Sequence, residues 1–476
     1  MQELSSKKTN KWLIFAFVAT GVFMSTLDGS IVNIALPTIM KDLSADFSLI
    51  SWVVMIYLMT VTSFLLCFGR LSDIKGRRKV FITGLLTFAA GSFCCAVSIN
   101  AWFLIASRAF QGLGAAMIMA CSPALITDTF QASERGKAMG AIGTIVAAGL
   151  TAGPALGGWL LTYFSWRVIF YINIPIGIAA ALIVFNLLKN TNADIETSEP
   201  FDWYGAILLV LTVALFLIFV TRGSRAGFFS IQMIAAAAGA LFSLLCLIAW
   251  ESRAEYPILD LSVFKIRLFT LPVAAAVLLF MTLFIMIFLM PFFLMMPCGL
   301  TEAKAGYMMM IPFAFLFVIS PVSGMISDRV GSRVLCTVGM GIMSLSLFSM
   351  TFLTPISSMV SIGWRMALAG LGASVFLPPN SATVMTAVMP QKRGVAGGVV
   401  AAARNLGMVI GVAVAGAVFN HVYSGLTDGM NVRTYNPEFA VFFMKAFKAA
   451  LNTGACFGLA GMILAALRGP DVKTGK

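Results

Sequence analysis

Two short polar stretches, "GRLSDIKGRR" at residues 69–78 and "GMISDRVGSR" at residues 324–333, match at Gly, Ser, Asp, Gly and Arg. Each stretch lies between two long apolar runs, where a short loop is expected. The tetrapeptide "GLGA" follows each copy, at residues 112–115 and again at 370–373, and the offset stays near 255–258 residues. The chain therefore contains two halves that repeat in the same orientation.

The composition excludes a soluble protein. Sixty per cent of the 476 residues are hydrophobic and 11% are charged, against about 45–50% and about 25% in soluble domains. The net charge of +13 does not indicate nucleic-acid binding, because the basic residues fall in short loops between apolar runs. Eight cysteines without ligand spacing and a single histidine, His421, argue against a disulfide framework, a metal centre or histidine-based catalysis.

Fourteen apolar segments are long enough to span a bilayer, which requires about 20 residues each. Two of them, at about 203–250, lie between the repeated halves. An even number of spans places both termini on the same side of the membrane. Of the 32 Lys and Arg residues, 21 fall on that side and 8 on the other. The positive-inside rule then predicts that both termini are cytoplasmic.

The predicted fold is therefore an all-α integral membrane protein in three parts. Residues 1–190 form a six-helix bundle, residues 191–265 supply two linking transmembrane helices, and residues 266–476 form a second six-helix bundle. Parallel repeats of this kind around a site at the midplane are one known plan of secondary transporters. The adjacent prolines Pro378 and Pro379 predict a kink or an early end in the twelfth span.

One carboxyl group stands inside the first span. Asp28 is the only charged residue between Trp12 and Leu36, and a charge at a helix centre costs about 2.5–3.5 kcal/mol on insertion scales. Intramembrane carboxyl groups that take up and release protons are common in pumps and transporters, so Asp28 is a candidate proton-coupling site. The alternative is a carboxyl group that only hydrogen-bonds a neighbouring helix. Asn33, five residues on, is expected to face the same cavity.

Six segments resemble one known family when taken in this order along the chain. They are "LDGSIVNIALP" (27–37), "GRLSDIKGRR" (69–78), "RAFQGLGAA" (108–116), "GLTAGPALGGWL" (149–160), "WRVIFYINIPIG" (166–177) and "RNLGMVIGVAVAG" (404–416). The chain resembles the major facilitator superfamily, and within it the fourteen-span drug:proton antiporters of the EmrB/QacA group. The resemblance implies two six-helix bundles related by a pseudo-two-fold axis, with two extra central helices.

The same resemblance implies a function. It predicts a proton-coupled antiporter that exports lipophilic drugs or related small molecules from the cytoplasm by alternating access. The expected location is a bacterial-type inner (plasma) membrane. A dedicated exporter of a specific metabolite or lipid is an alternative with the same fold. A membrane enzyme would need a nucleophile–base pair, metal cluster or nucleotide loop, and a receptor would need a sizeable soluble domain; the sequence shows none of these.

The resemblance also implies that spans 1 and 4 line one central cavity. Arg108, early in span 4, is then the expected partner of Asp28, and Gln111 follows on the next turn. Movement of the arginine would switch the proton affinity of the carboxyl group during the transport cycle. The alternative for Arg108 is a side chain that reaches the membrane surface. Since Asp28 is the only acid convincingly buried in a span, substrate and proton are expected to compete there.

The loop motif implies a gate. Its residues are Gly69, Asp73, Gly76, Arg77 and Arg78, with a weaker second copy at Asp328 and Arg333. In the family this motif latches the cytoplasmic side closed in the outward-open state. The alternative is a topology signal made of basic residues, and the two are compatible.

Small residues recur at close spacing on the fifth span. They are Gly149, Gly153, Pro154, Gly157 and Gly158. Small residues let helix backbones approach closely, and in the family this pattern marks exporters rather than importers. Arg404 and Asn405, at the start of span 13, lie either in the cavity or near the surface. The expected partners are a lipophilic small-molecule substrate, protons and the lipid bilayer; we expect a monomer with no cofactor, metal ion or nucleic acid.

Overall fold

A computed structural model describes residues 11–187, 201–227, 229–254, 258, 261–389, 393–430, 432 and 435–469. These residues form fifteen α-helices, with short 3-10 turns at Leu261–Lys265 and Pro437–Phe439. The α-helices are α1 (Lys11–Asp42), α2 (Phe47–Lys75), α3 (Arg77–Ala96), α4 (Ala101–Thr129), α5 (Ala132–Tyr163), α6 (Val168–Tyr171), α7 (Asn173–Leu187), α8 (Trp203–Ala226), α9 (Ile231–Glu251), α10 (Arg267–Met295), α11 (Glu302–Val330), α12 (Ser332–Met350), α13 (Met359–Thr386), α14 (Arg393–Leu426) and α15 (Ala440–Leu467).

The helices supply the predicted number of membrane spans. Because α6 and α7 together make one span, the described residues contain fourteen units long and apolar enough to cross a bilayer. Helices α1–α7 pack into one half of the molecule and α10–α15 into the other. The extra helices α8 and α9 pack on each other, and α8 also contacts α2 and α14, where the halves meet.

The repeated sequence stretches form the same turn in each half. Gly76 joins α2 to α3 with φ +94°, and Gly331 joins α11 to α12 with φ +90°. Residues with a side chain rarely adopt this backbone conformation, whereas glycine adopts it readily. The second glycine of each motif is therefore required by the turn that it makes.

Side chains cap some of the helices, and prolines lie inside several of them. Asp46 caps α2 by accepting a hydrogen bond from the Leu49 amide (2.5 Å), and Asn100 caps α4 through the Phe103 amide (2.8 Å). The twelfth span does not end early, since α13 continues through Pro378 and Pro379 to Thr386, and the alternative of a kink stays a prediction. Membrane helices tolerate proline because neighbouring groups satisfy the freed backbone atoms.

Candidate functional site

A cavity of about 1060 Å³ lies between the two halves. Its wall is formed by α1, α2, α4 and α5 of the first half and by α10, α11, α13 and α14 of the second. The wall residues on α5, α13 and α14 cluster toward the side of the membrane on which α1 begins and α15 ends, which we call the terminal side. Met139, a large wall residue near the start of α5 at this end, is exposed. The cavity thus faces the terminal side.

The two halves close on each other at the opposite end. The ring of Phe47, at the start of α2, lies 4.8 Å from the ring of Phe292 and 4.8 Å from that of Phe419, measured between centroids. A Cβ atom added to Gly158 on α5 would lie 3.0 Å from the Cα atom of Gly306 on α11. This contact leaves no room for a side chain on either helix. The molecule is therefore open toward the terminal side and shut at the other.

Asp28 lies at the centre of a polar cluster inside the first half. Its side chain is fully buried (0% exposed), and Oδ2 forms an ion pair with Nη1 of Arg108. Oδ1 accepts hydrogen bonds from Nε2 of Gln111 and from Nδ2 of Asn173, both at 3.0 Å. These contacts join α1 to α4 and α7. The structure thus brings together the predicted residues Asp28, Arg108 and Gln111.

The partners of Asp28 are themselves held by further contacts. Arg108 donates from Nε to the backbone oxygen of Val53 (3.2 Å) and from Nη1 to Oε1 of Gln111 (2.5 Å). Gln111 donates from Nε2 to the Ser92 hydroxyl (2.8 Å). A buried ion pair is tolerated when additional hydrogen bonds satisfy both partners, and this cluster meets that condition.

The Asp28 cluster lies behind the cavity wall rather than in it. Asp28, Arg108 and Gln111 do not line the cavity, whereas Tyr57 does. The ring of Tyr57 stacks on the guanidinium of Arg108, 4.1 Å from centroid to Cζ, and its hydroxyl donates to the Ser25 backbone oxygen (3.1 Å). Asn33 also lines the cavity, but it donates to the Gly29 carbonyl (2.9 Å) and makes no hydrogen bond to Asp28. Tyr57 is therefore the side chain shared by cavity and cluster.

The glycines of α5 allow it to lie directly against α1. A Cβ atom at Gly149 would collide with the Thr26 hydroxyl, and one at Gly153 with the Ser30 hydroxyl. Gly157 faces α1 in the same way, and a Cβ there would lie 2.7 Å from an Ile31 side-chain carbon. The Ser30 hydroxyl donates to the Gly149 carbonyl (3.2 Å).

The remaining members of this pattern face the second half. Pro154 lines the cavity, and its backbone oxygen lies in the path of a Cβ atom at Gly306. Gly158 contacts α11 as described above. The pattern on α5 thus contacts α1 beside Asp28 with one set of residues and the second half with another. A movement of α5 would affect both contacts.

The loop motif after α2 makes its ion pairs within the first half. Arg77 pairs with Asp73 (2.9 Å) and with Asp128 at the end of α4 (2.5 Å). Arg78 donates to the backbone oxygen of Phe185 on α7 (2.7 Å). In the described part of the chain, neither Asp73 nor Arg77 forms an ion pair with the second half. A Cβ atom added at Gly69 would meet no atom within 4 Å, and Gly76 makes the turn.

The second copy of the loop motif reproduces the turn, and its charges differ. Arg333 is exposed on α12. The backbone of Asp328 belongs to α11, while its side chain lies outside the described side chains. The Asp–Arg pairing of this motif can therefore be described for the first copy.

Comparison with known proteins identifies the family. The profile of the Major Facilitator Superfamily matches residues 18–412. The chain is 34% identical to the riboflavin transporter RibZ of Clostridioides difficile over 455 residues, covering 95% of this chain and 96% of RibZ. It is 33% identical to the multidrug resistance protein Stp of Mycobacterium tuberculosis over 415 residues, covering 86% and 76% of the two chains.

The chain belongs to the Major Facilitator Superfamily. Its fold matches a bacterial homologue of the human lysosomal transporter Spinster, with a TM-score of 0.65 at 15% identity over 98% of this chain and 96% of that one. It is therefore a multi-pass membrane transporter of the major facilitator fold acting on a small molecule. Members of this superfamily are generally not enzymes.

Arg404 and Asn405 lie on α14 in the cavity wall of this transporter. Arg404 is partly buried, and its guanidinium makes no hydrogen bond or ion pair with any residue that the structure describes. Nε of Arg404 and Nδ2 of Asn405 are both buried without a hydrogen-bond partner. The sequence left open whether these two residues lie in the cavity or near the membrane surface. The structure places both in the cavity wall.

Three further polar contributors were missed by the sequence analysis. Asn173 lies in the motif "WRVIFYINIPIG" and binds Asp28, Tyr57 covers Arg108, and Asp128 pairs with Arg77. An asparagine within the sixth span of a transporter was an available signal, since polar residues inside spans are rare. Tyr57 gave no such signal, because aromatic residues are common in membrane helices.

Proposed function

We propose that this transporter is a proton-coupled exporter of amphipathic small molecules that works by alternating access. Residues 1–190 and 266–476 would move as two bodies about the cavity between them. The observation that carries the proposal is the buried Asp28–Arg108 ion pair, which touches the cavity wall through Tyr57. It supplies a protonatable group whose charge state affects three helices at once.

Protonation of Asp28 would change how α1, α4 and α7 pack. The carboxylate accepts bonds from Arg108, Gln111 and Asn173, and a proton cancels the charge that the arginine balances. The unpaired buried cation is then costly until the cluster rearranges. We expect this rearrangement to loosen the contacts of α5 at the closed end, including Gly158 with Gly306, and so to open the cavity to the other side.

Substrate and proton would influence each other through Tyr57 rather than by direct competition at Asp28. A substrate in the cavity contacts the wall to which Tyr57 belongs, and the same ring stacks on Arg108. A shift of the ring changes the surroundings of the ion pair. Reciprocal coupling between the two sites follows from linkage, because each ligand biases the same rearrangement.

The direction of transport rests on the orientation of the termini. The distribution of Lys and Arg between loops supports cytoplasmic termini in a bacterial-type plasma membrane. The cavity, which faces the terminal side, would then load from the cytoplasm. Release occurs after the end closed by Phe47 and Gly158 opens.

Lipophilic drugs fit the chemistry of the cavity wall. Most of its residues are apolar, and the rings of Tyr57, Phe280, Phe284 and Phe313 contribute to it. Such walls are typical of small-molecule sites, which span about 300–1000 Å³. The relative named multidrug resistance protein Stp supports this substrate class.

A flavin is the second candidate substrate. The relative RibZ is named a riboflavin transporter and matches 95% of this chain. A planar tricyclic ring with polar edges suits an aromatic cavity that also carries Asn33 and Asn380. A transport assay that compares riboflavin with lipophilic drugs distinguishes these two candidate substrates.

Proton movement in sealed inverted vesicles tests the proposed function. A pH gradient is imposed, and riboflavin or one of a panel of lipophilic cations, zwitterions, anions and neutral drugs is added to vesicles containing wild type or Asp28→Asn. We expect at least one compound to dissipate the gradient with wild type and none to do so with Asp28→Asn.

The matched control is Asp42→Asn. It makes the same chemical change on the same helix, at an ion pair with Arg167 that is exposed at the membrane surface. This variant should couple as wild type does. If Asp28→Asn couples as well as wild type, or if no compound moves protons with folded wild-type protein, the proposal is wrong.

A further inference from the structure

Arg404 is placed where it can meet a substrate. It lies on α14 with Val400 one turn before it and Met408 one turn after it, and all three line the cavity. Residues four apart share a face of a helix. The face of α14 that carries Arg404 therefore forms part of the cavity wall, and the side chain is not directed into the packing between helices.

The guanidinium of Arg404 differs from those of Arg108 and Arg365, which also lie within spans. Arg108 is paired with Asp28, and Arg365 donates to the backbone oxygens of Ser349 (2.9 Å) and Ser361 (2.7 Å). Arg404 has no such partner among the described residues, and its Nε atom is buried without a hydrogen bond. A buried polar group without a partner is costly, and a charged one more so.

The described residues of the cavity wall offer no negative charge to balance Arg404. Among the described residues that form the wall, Arg404 is the one charged side chain. Asp28 lies behind Tyr57 and is already neutralised by Arg108. The charge of Arg404 therefore makes the electrostatic potential beside it positive, which disfavours a cationic substrate there and favours an anionic one.

Neighbouring atoms complete a site for an acidic group. Asn405, next to Arg404, has an Nδ2 donor that is buried without a partner. A guanidinium presents parallel N–H donors that match the two oxygens of a carboxylate, sulfonate or phosphate. The aromatic rings elsewhere in the wall suit an apolar body attached to that group.

We propose that Arg404, assisted by Asn405, binds the acidic group of an anionic amphipathic substrate in the central cavity. This inference deepens the proposed function and rests on it for the statement that the bound molecule is transported. It makes the exported substrate an anion, so an interior-negative membrane potential drives its export together with the proton gradient. Binding itself does not depend on proton coupling.

Binding of three fluorescent probes to the purified full-length protein tests the site. Dansylglycine, dansylglycinamide and dansylcadaverine share one aromatic body and carry a carboxylate, an amide and an ammonium group. We expect wild type to bind dansylglycine at least tenfold more tightly than the other two. Arg404→Gln should weaken dansylglycine binding by about 10- to 100-fold, as loss of a charged hydrogen-bonded partner does. Arg404→Lys should keep part of the preference.

Two controls separate this result from misfolding and from general charge effects. Arg404→Gln should bind dansylglycinamide as wild type does, which shows an intact cavity. Arg253→Gln removes an exposed positive charge outside the cavity and should leave all three affinities unchanged.

The outcomes also separate this site from the proposed function. The binding preference is measured on wild type without a proton gradient, so a failure of proton coupling in vesicles leaves this test intact. Equal affinity for the three probes in wild type, absence of binding by all three, preference for the ammonium probe, or a preference that persists in Arg404→Gln would overturn the assignment.

Discussion

The ring of Tyr57 stacks on the guanidinium of Arg108 at 4.1 Å, while the same tyrosine forms part of the cavity wall. This relationship joins the Asp28 ion pair to the space in which a substrate would bind. It also means that a substrate need not touch Asp28 to influence it. The consequences are measurable at Tyr57 itself.

Loss of the aromatic ring of Tyr57 should uncouple transport from proton movement. Tyr57→Phe keeps the ring and removes the hydrogen bond to Ser25, so we expect coupling to persist. Tyr57→Leu removes the aromatic face, and a desolvated cation–π contact contributes about 2 kcal/mol. We therefore expect a roughly tenfold or greater fall in protons moved per substrate, measured as paired fluxes in proteoliposomes. Equal ratios in Tyr57→Leu and wild type would contradict this role.

The Asp28–Arg108 pair should show strong energetic coupling. Arg108→Gln leaves an uncompensated buried carboxylate, so we expect a loss of about 3–5 kcal/mol in the free energy of unfolding. The double variant Asp28→Asn/Arg108→Gln removes both charges and should regain at least half of that loss. The free energy of unfolding in mixed micelles is measured for wild type, the two single variants and the double variant, which together form a double-mutant cycle. Additive effects of the two substitutions would show that the pair does not interact in the folded state.

The sequence predicted the fold well because its signals are local. The length of each apolar run is sufficient to recognise a span, and the matching stretches around Gly76 and Gly331 revealed the duplication before any helix was placed. Both glycines then proved to make the same turn. The early end considered at Pro378 does not occur, because neighbouring groups in a membrane protein can satisfy the backbone atoms that a proline leaves free.

The site was predicted in part. Asp28 and Arg108 were recognisable because charges inside spans are rare, but which side of α1 faces the cavity is a property of packing. Asn33 illustrates this: five residues along a helix correspond to a rotation of about 140° from Asp28. The asparagine accordingly reached the cavity wall while the aspartate did not.

The duplication did not predict the site either. Arg365 in the second half occupies a place like that of Arg108, about 257 residues later. It donates to backbone oxygens instead of a carboxylate. The repeat therefore reproduces backbone turns more faithfully than charges, because turns depend on glycine alone and an ion pair needs both partners.

The contact of Gly158 with Gly306 should control which side of the transporter is open. A Cβ atom at Gly158 would lie 2.5 Å from the Glu302 backbone oxygen, so Gly158→Leu should prevent closure and favour the state open to the opposite side. Labelling of a cysteine introduced near this contact should become at least severalfold faster from the side of the membrane opposite the termini. Gly425→Ala, where a Cβ meets no atom within 4 Å, is the control and should label as wild type does. Unchanged labelling in Gly158→Leu would show that this contact does not hold the end shut.

The loop motif should affect conformational change more than stability. Arg77 and its partners Asp73 and Asp128 are partly exposed, and such ion pairs contribute about 0–1 kcal/mol. They do not pair with any described residue of the second half, so Arg77→Gln should lower the unfolding free energy by less than about 1 kcal/mol. If the motif latches the terminal side in the opposite state, the same variant should slow transport at least severalfold while substrate binding is retained. Initial transport rates in vesicles and substrate binding in micelles, measured on one preparation, decide between a latch and a topology signal. If Arg77→Gln transports at the wild-type rate, the motif is a topology signal and not a latch.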